Sequence, residues 1–149
     1  MKRSIVAAIL VSAGIALSGT AALTHEHATG VVKERMDAMK DMGKRLKAIN
    51  ERARAGRELG SVGTDAKAIA ERASHIVHMF PPGSADPPSQ ARKSIWQTGS
   101  EFEKLADALQ AASAKLASAD AADVGAIRTE AKAVTQACTA CHEKYRVRR

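Results

Sequence analysis

Two cysteines and a histidine near the end of this 149-residue chain carry its most specific chemistry. They stand as Cys138-Thr139-Ala140-Cys141-His142, and the sequence holds no other cysteine. Side chains three positions apart on a helix leave from nearly the same face. Two thiols placed in this way can each add to one vinyl group on the same edge of a haem. The adjoining imidazole can then serve as an axial ligand of the iron. Cys-x-x-Cys-His is read as c-type haem attachment.

Three plainer readings compete. A redox-active cysteine pair belongs at the start of a helix after a strand, whereas this pair lies deep in a helical pattern. A structural zinc site usually takes four protein ligands, and the remaining histidines are distant in sequence. A disulfide is compatible with an exported protein but leaves His142 without a role. Haem attachment uses all three residues.

The elements that position these residues follow from hydrophobic periodicity. A first helix is expected over about residues 30–54, with Val32, Met36, Met39, Gly43, Leu46 and Ile49 recurring every three or four positions. Glycines between residues 56 and 63 close it. A second helix is expected from Thr64 or Asp65, either of which can cap it. It carries Ile69, Ala70, Ala73, Ile76, Val77 and Phe80 on one face. The proline-rich residues 81–88 must be a loop, because proline removes a backbone donor and clashes within a helix. A third helix is expected from about Ser89, with a seam of Ile95, Gly99, Phe102, Ala106, Leu109, Ser113 and Leu116. A fourth begins near Asp123, and its seam of Val124, Ile127, Ala131 and Val134 runs straight through Cys138, Cys141 and Tyr145. Alternating steps of four and three mark helices packed lengthwise at shallow angles. No segment alternates with period two. The fold class is therefore all-α, an antiparallel four-helix bundle.

Composition leaves room for a large apolar group. Phe80, Trp96, Phe102 and Tyr145 are the only aromatic residues, and alanine is abundant. Interiors pack at near-crystalline density, so a core this short of bulk can accommodate a haem. Residues 1–22 read as an export signal: Lys2 and Arg3, an apolar run over residues 5–17, then the small Gly19, Thr20, Ala21 and Ala22. The run falls short of the roughly 20 residues that span a membrane. The mature domain is then residues 23–149, soluble in the periplasm. The formal charge is +7, with cations and anions interspersed except at Lys144, Arg146, Arg148 and Arg149. A nucleic-acid binder shows a concentrated basic face and a recognisable motif; this sequence shows neither, and no nucleic-acid partner is expected.

With Tyr145 and Arg146, the last helix reads Cys-x-x-Cys-His-x-x-Tyr-Arg. A haem motif on the final helix of four closely resembles the class II cytochromes c, the cytochrome c-prime family. The resemblance spans the mature chain through Arg-x-x-x-Met in the first helix, Phe80-Pro81 after the second and Ile95-Trp96 at the third. It implies one covalently attached haem c, buried at one end of the bundle, with thioethers from Cys138 and Cys141 and His142 as proximal ligand. It also implies that Arg35, Tyr145 and Arg146 belong to the haem environment and that Met39 faces the sixth coordination position. Members with a coordinating methionine there are low-spin electron carriers. The others are five-coordinate, high-spin and bind nitric oxide or carbon monoxide. The first helix of the former resembles Arg-x-x-x-Met-Lys-x-x-Gly, which Arg35, Met39, Lys40 and Gly43 match. Arg35, Met39 and Gly43 share one face, and a glycine lets a flat macrocycle approach the backbone.

The first reading is thus a periplasmic electron-transfer cytochrome, not an enzyme, with iron held by His142 and Met39 and with redox proteins as partners. One alternative is a five-coordinate gas binder in which Met39 is a lid. Another is a haemless helical interaction domain. Met39 also fits a core-filling role, and Met36 and Met42 lie about one turn to either side. A homodimer is compatible with all of these. His75 and His78 have metal-binding spacing but no carboxylate pattern beside them, and His25 and His27 fall at the start of the mature chain.

Overall fold

A computed structural model of the protein describes residues 28–85 and 87–148; the expected export signal lies outside them. The apolar periodicities become four helices: α1 (Gly30–Ala55), α2 (Val62–Ala73), α3 (Gly99–Ala117) and α4 (Val124–Tyr145). Gly56 ends α1 at φ 63°, a left-handed conformation open to glycine, and its N–H donates to the Arg52 carbonyl. Asp123 caps α4 by accepting the Ala126 N–H at 2.8 Å.

The helices form a ring in which each touches the next and α4 closes on α1. Side-chain pairs show that neighbours run antiparallel. Asp41 meets Arg72 and Arg52 meets Asp65 across α1 and α2. Lys115 meets Glu130, and Glu101 meets Lys144, across α3 and α4. A Cβ added to Gly63 at the start of α2 would lie 3.2 Å from the Ala117 carbonyl at the end of α3, so these helices approach at a glycine. Arg128 early in α4 donates to the Ala53 carbonyl late in α1 at 2.8 Å.

Ile49, Ile69, Leu116, Ile127 and Val134 are fully buried at the centre. The expected seams recur in α3 and α4: Phe102, Ala106, Leu109, Ser113, Leu116, Ala131 and Tyr145 are buried too. Gly99, by contrast, is exposed. The fully buried Ser113 hydroxyl has no hydrogen-bond partner among the described residues. Ser113→Ala removes a desolvated group that gains nothing, so stability is expected to hold or to rise by up to ~1 kcal/mol. The urea midpoint checks this, and a loss beyond ~1 kcal/mol would reveal a partner for the hydroxyl.

Three expectations are corrected. In α1 the deepest stripe is Arg35, Ala38, Met42, Ile49 and Ala53; of the expected positions Ile49 is fully buried, Val32, Met36, Met39 and Leu46 are half-buried and Gly43 is exposed. The helix has two contact faces, and the expected stripe is the one turned towards α4. In α2, the helix starts at Val62, and Asp65 does not cap it but accepts from Arg45 and Arg52. The helix ends at Ala73, where the Ser74 hydroxyl donates to the Glu71 carbonyl at 2.7 Å. A 3-10 turn, Val77–Met79, follows, and its tighter period leaves Val77 exposed and buries Met79.

The third correction is the start of α3 at Gly99 rather than Ser89. Residues 90–92 are extended because they pair with the chain beyond α4. The Arg92 N–H donates to the Tyr145 carbonyl at 2.8 Å and the Val147 N–H to the Gln90 carbonyl at 2.9 Å, around an antiparallel bridge of Ala91 with Arg146. A 3-10 turn, Lys93–Trp96, then leads into α3.

Candidate functional site

Cys138 and Cys141 are half-buried on α4 and pack against the core; neither is in a disulfide. Burial pushes both thiols up, Cys141 to about 11, with the neighbouring Cys138 adding to its shift. Both are neutral thiols at neutral pH, and a protonated pair is a poor nucleophile for disulfide exchange. His142 lies at the surface of the next turn. Partial desolvation of its ring, and secondly the charge of Arg146, lower its pKa and favour the neutral imidazole that binds metals.

A groove of about 610 Å³ runs between α1 and α4. Gly43, Leu46 and Asn50 line one wall and Thr135 the other, with Asn50 Nδ2 donating to Thr135 Oγ1 at 3.4 Å across it. On α1 the same stripe, carried back one turn, reaches Met39. On α4 the stripe of Arg128, Lys132 and Thr135, carried forward in steps of three and four, reaches Cys138 and His142. Because the helices are antiparallel, both continuations lead to the same end of the bundle. A Cβ added to Gly43 would meet nothing within 4 Å, so the α1 wall is open there.

Two thiols on one face and a neutral imidazole form a donor set that fits a covalently attached haem, and the half-buried Met39 thioether lies on α1 at the same end. Among the described residues, no three His, Cys, Asp or Glu side chains lie close enough together to hold a metal ion directly. His75 and His78 are exposed beyond the end of α2, which lies at this same end of the bundle: the neighbouring Met79 carbonyl accepts from Arg35.

Arg35, Tyr145 and Arg146 are joined by a feature that was not foreseen: residues 81–85 and 87–92 lie as a strap across this end. Arg35 is buried, and burial lowers its pKa. Its guanidinium donates to Ser84 Oγ at 2.8 Å, to the Ser84 carbonyl, to Ser89 Oγ at 2.5 Å and to the Met79 carbonyl at 3.4 Å. It also lies 4.7 Å from the centre of the Phe80 ring. Tyr145 is buried edge-on to Phe102 and shares a 2.7 Å hydrogen bond with the Thr98 hydroxyl. Arg146 is exposed and donates to Gln90 Oε1 at 2.8 Å. The strap thus ties α1 to the end of α4. Its sequence signal was the pair of hydroxyls, Ser84 and Ser89, flanking the prolines.

The sequence matches the family described as Cytochrome C' over residues 30–146. No curated protein matches it. Three solved structures are similar. The first is a cytochrome c' with an unusual ligand-controlled dimer dissociation, at 25% identity and TM-score 0.73, covering 79% of this chain and 95% of that one. The cytochrome c' of Thermochromatium tepidum has 26% identity and TM-score 0.73 over the same shares, 79% and 95%. A nitric oxide complex of a variant cytochrome c prime from Alcaligenes xylosoxidans has 24% identity and TM-score 0.71, covering 80% of this chain and 94% of that one.

Proposed function

Because the chain belongs to the cytochrome c' family, class II cytochromes c with one covalently attached haem per chain, we propose that it is a periplasmic gas-binding haem protein, not an enzyme, in which His142 would bind the iron and Met39 would limit access to it. Cys138 and Cys141 would hold the macrocycle through thioethers. The haem supplies a redox-active iron that, when five-coordinate, accepts nitric oxide or carbon monoxide.

The observation that carries this reading is the seat of Met39. Its half-buried side chain packs against the core, on a helix that Arg35 pins to the strap. A methionine held in this way serves as a lid: it limits access and keeps water from the iron without leaving its packing. The nitric oxide complex of the Alcaligenes neighbour supports the same use of this fold. A ligand-sensitive homodimer belongs to the proposal, since another neighbour has a ligand-controlled dimer.

One observation favours a second reading. Arg35, Met39, Lys40 and Gly43 keep the spacing of the low-spin branch, in which Met39 would be the second iron ligand and the protein an electron carrier between redox partners. Absorption spectra of wild type and Met39→Ala decide between them. The lid reading expects high-spin spectra for both, with carbon monoxide association roughly tenfold faster in the variant, a barrier lower by about 1.4 kcal/mol. A wild type that is low-spin and turns high-spin only in Met39→Ala would establish the second reading instead.

A further inference from the structure

Away from the haem end, the groove between α1 and α4 becomes basic. Lys47 and Arg54 of α1 and Arg128 and Lys132 of α4 line it, and no carboxylate does. Its floor is apolar, from Leu46 and Ala53. Arg128 is held in place by the last turn of α1, donating to the Ala53 carbonyl at 2.8 Å and the Arg54 carbonyl at 3.1 Å.

The opposite side of α1 is treated differently. There Asp41 and Asp65 engage Arg45, Arg52 and Arg72 at 2.7–3.1 Å. On the groove side, among the described residues, Arg54 and Lys132 have no carboxylate within ion-pair distance, and Lys47 has only Glu51 at 3.9 Å. The fold neutralises the cations on one side of α1 and leaves those in the groove free to meet an anion.

We propose that this groove is the docking site for an acidic, extended segment of a partner protein, which it leads to the haem end of the bundle. From Gly43 to Arg54 the groove runs about 17 Å along α1, the length of about five extended residues. Its upper end is Thr135, one turn before Cys138. A concave channel with an apolar floor suits a single chain, whereas a lipid surface suits cations on a convex face. The proposal needs the haem attached but does not depend on whether Met39 is lid or ligand.

The test uses the haem-loaded protein and a hexaglutamate peptide, followed by calorimetry at low salt. One-to-one binding that weakens as salt rises is expected. Lys47→Glu/Lys132→Glu should lower the affinity by about tenfold or more. Lys67→Glu/Lys104→Glu has the same net charge change on exposed positions outside the groove and should change it by less than about twofold. Equal loss in both double variants overturns the proposal, as does failure of the peptide to bind. Binding only to phosphatidylglycerol vesicles would replace it with a membrane contact. The haem spectrum of each protein reports its folding, so loss of binding in Lys47→Glu/Lys132→Glu with an intact spectrum supports docking, and a wild type with an intact spectrum that fails to bind counts against docking alone. Lost haem would count against the function proposed above.

Discussion

Cells that attach haem to the wild type are expected to export the Cys138→Ala/Cys141→Ala variant with no covalently bound haem. A thioether forms when a thiol S–H adds across a vinyl double bond, so removing both sulfurs removes both possible linkages. The sequence holds no third cysteine to substitute for them. Either single variant keeps one linkage and is expected to retain haem at reduced yield. His142→Ala is expected to behave differently, keeping the covalent mass while losing the spectrum of an imidazole-ligated iron. Haem-stained gels and intact-mass spectrometry of the mature chain check the set. Covalent haem surviving in the double variant would defeat the reading of both the site and the groove beside it.

Arg35→Ala is expected to lower stability by about 2–4 kcal/mol, or about 10 °C in melting temperature. The guanidinium serves two hydroxyls and two carbonyls of residues 79–89 from a buried position. Its removal leaves those acceptors without their donor and opens space beneath the Phe80 ring. Buried acceptors left unpaired cost more than an average hydrogen bond contributes. Arg35→Lys should fall between the two, since a single ammonium does not span both Ser84 and Ser89. Thermal unfolding followed by circular dichroism measures both, and a loss below ~0.5 kcal/mol for Arg35→Ala would mean the strap does not depend on this anchor.

Much of the fold was legible because the seams of α3 and α4 repeat at helical spacing over many turns. Phe102 to Leu116 and Ile127 to Val134 are buried where periodicity put them. The haem-binding turn was legible for a related reason: Cys138, Cys141 and His142 are informative through local spacing alone. The register of α1 was harder, because Met39, Gly43 and Leu46 form one apolar-looking stripe and Ala38, Met42 and Ile49 another, and pattern does not say which faces the deeper core. Asp65 looked like a cap and is a partner for two arginines instead. The start of α3 was not legible, since residues 90–92 are held extended by the chain beyond Tyr145. Local propensity yields there to a contact distant in sequence.

The clasp at the end of the strap joins positions 54 apart, Arg92 to Arg146, and the seam of α1 with α4 joins positions 75 apart, Ala53 to Arg128. Pairings within α1–α2 and within α3–α4, such as Arg52 with Asp65 and Lys115 with Glu130, are shorter in span and cost less chain entropy to close. The protein is therefore expected to assemble as two hairpins that shut like a book, with the spine between α2 and α3 and the thiols on the last edge to close.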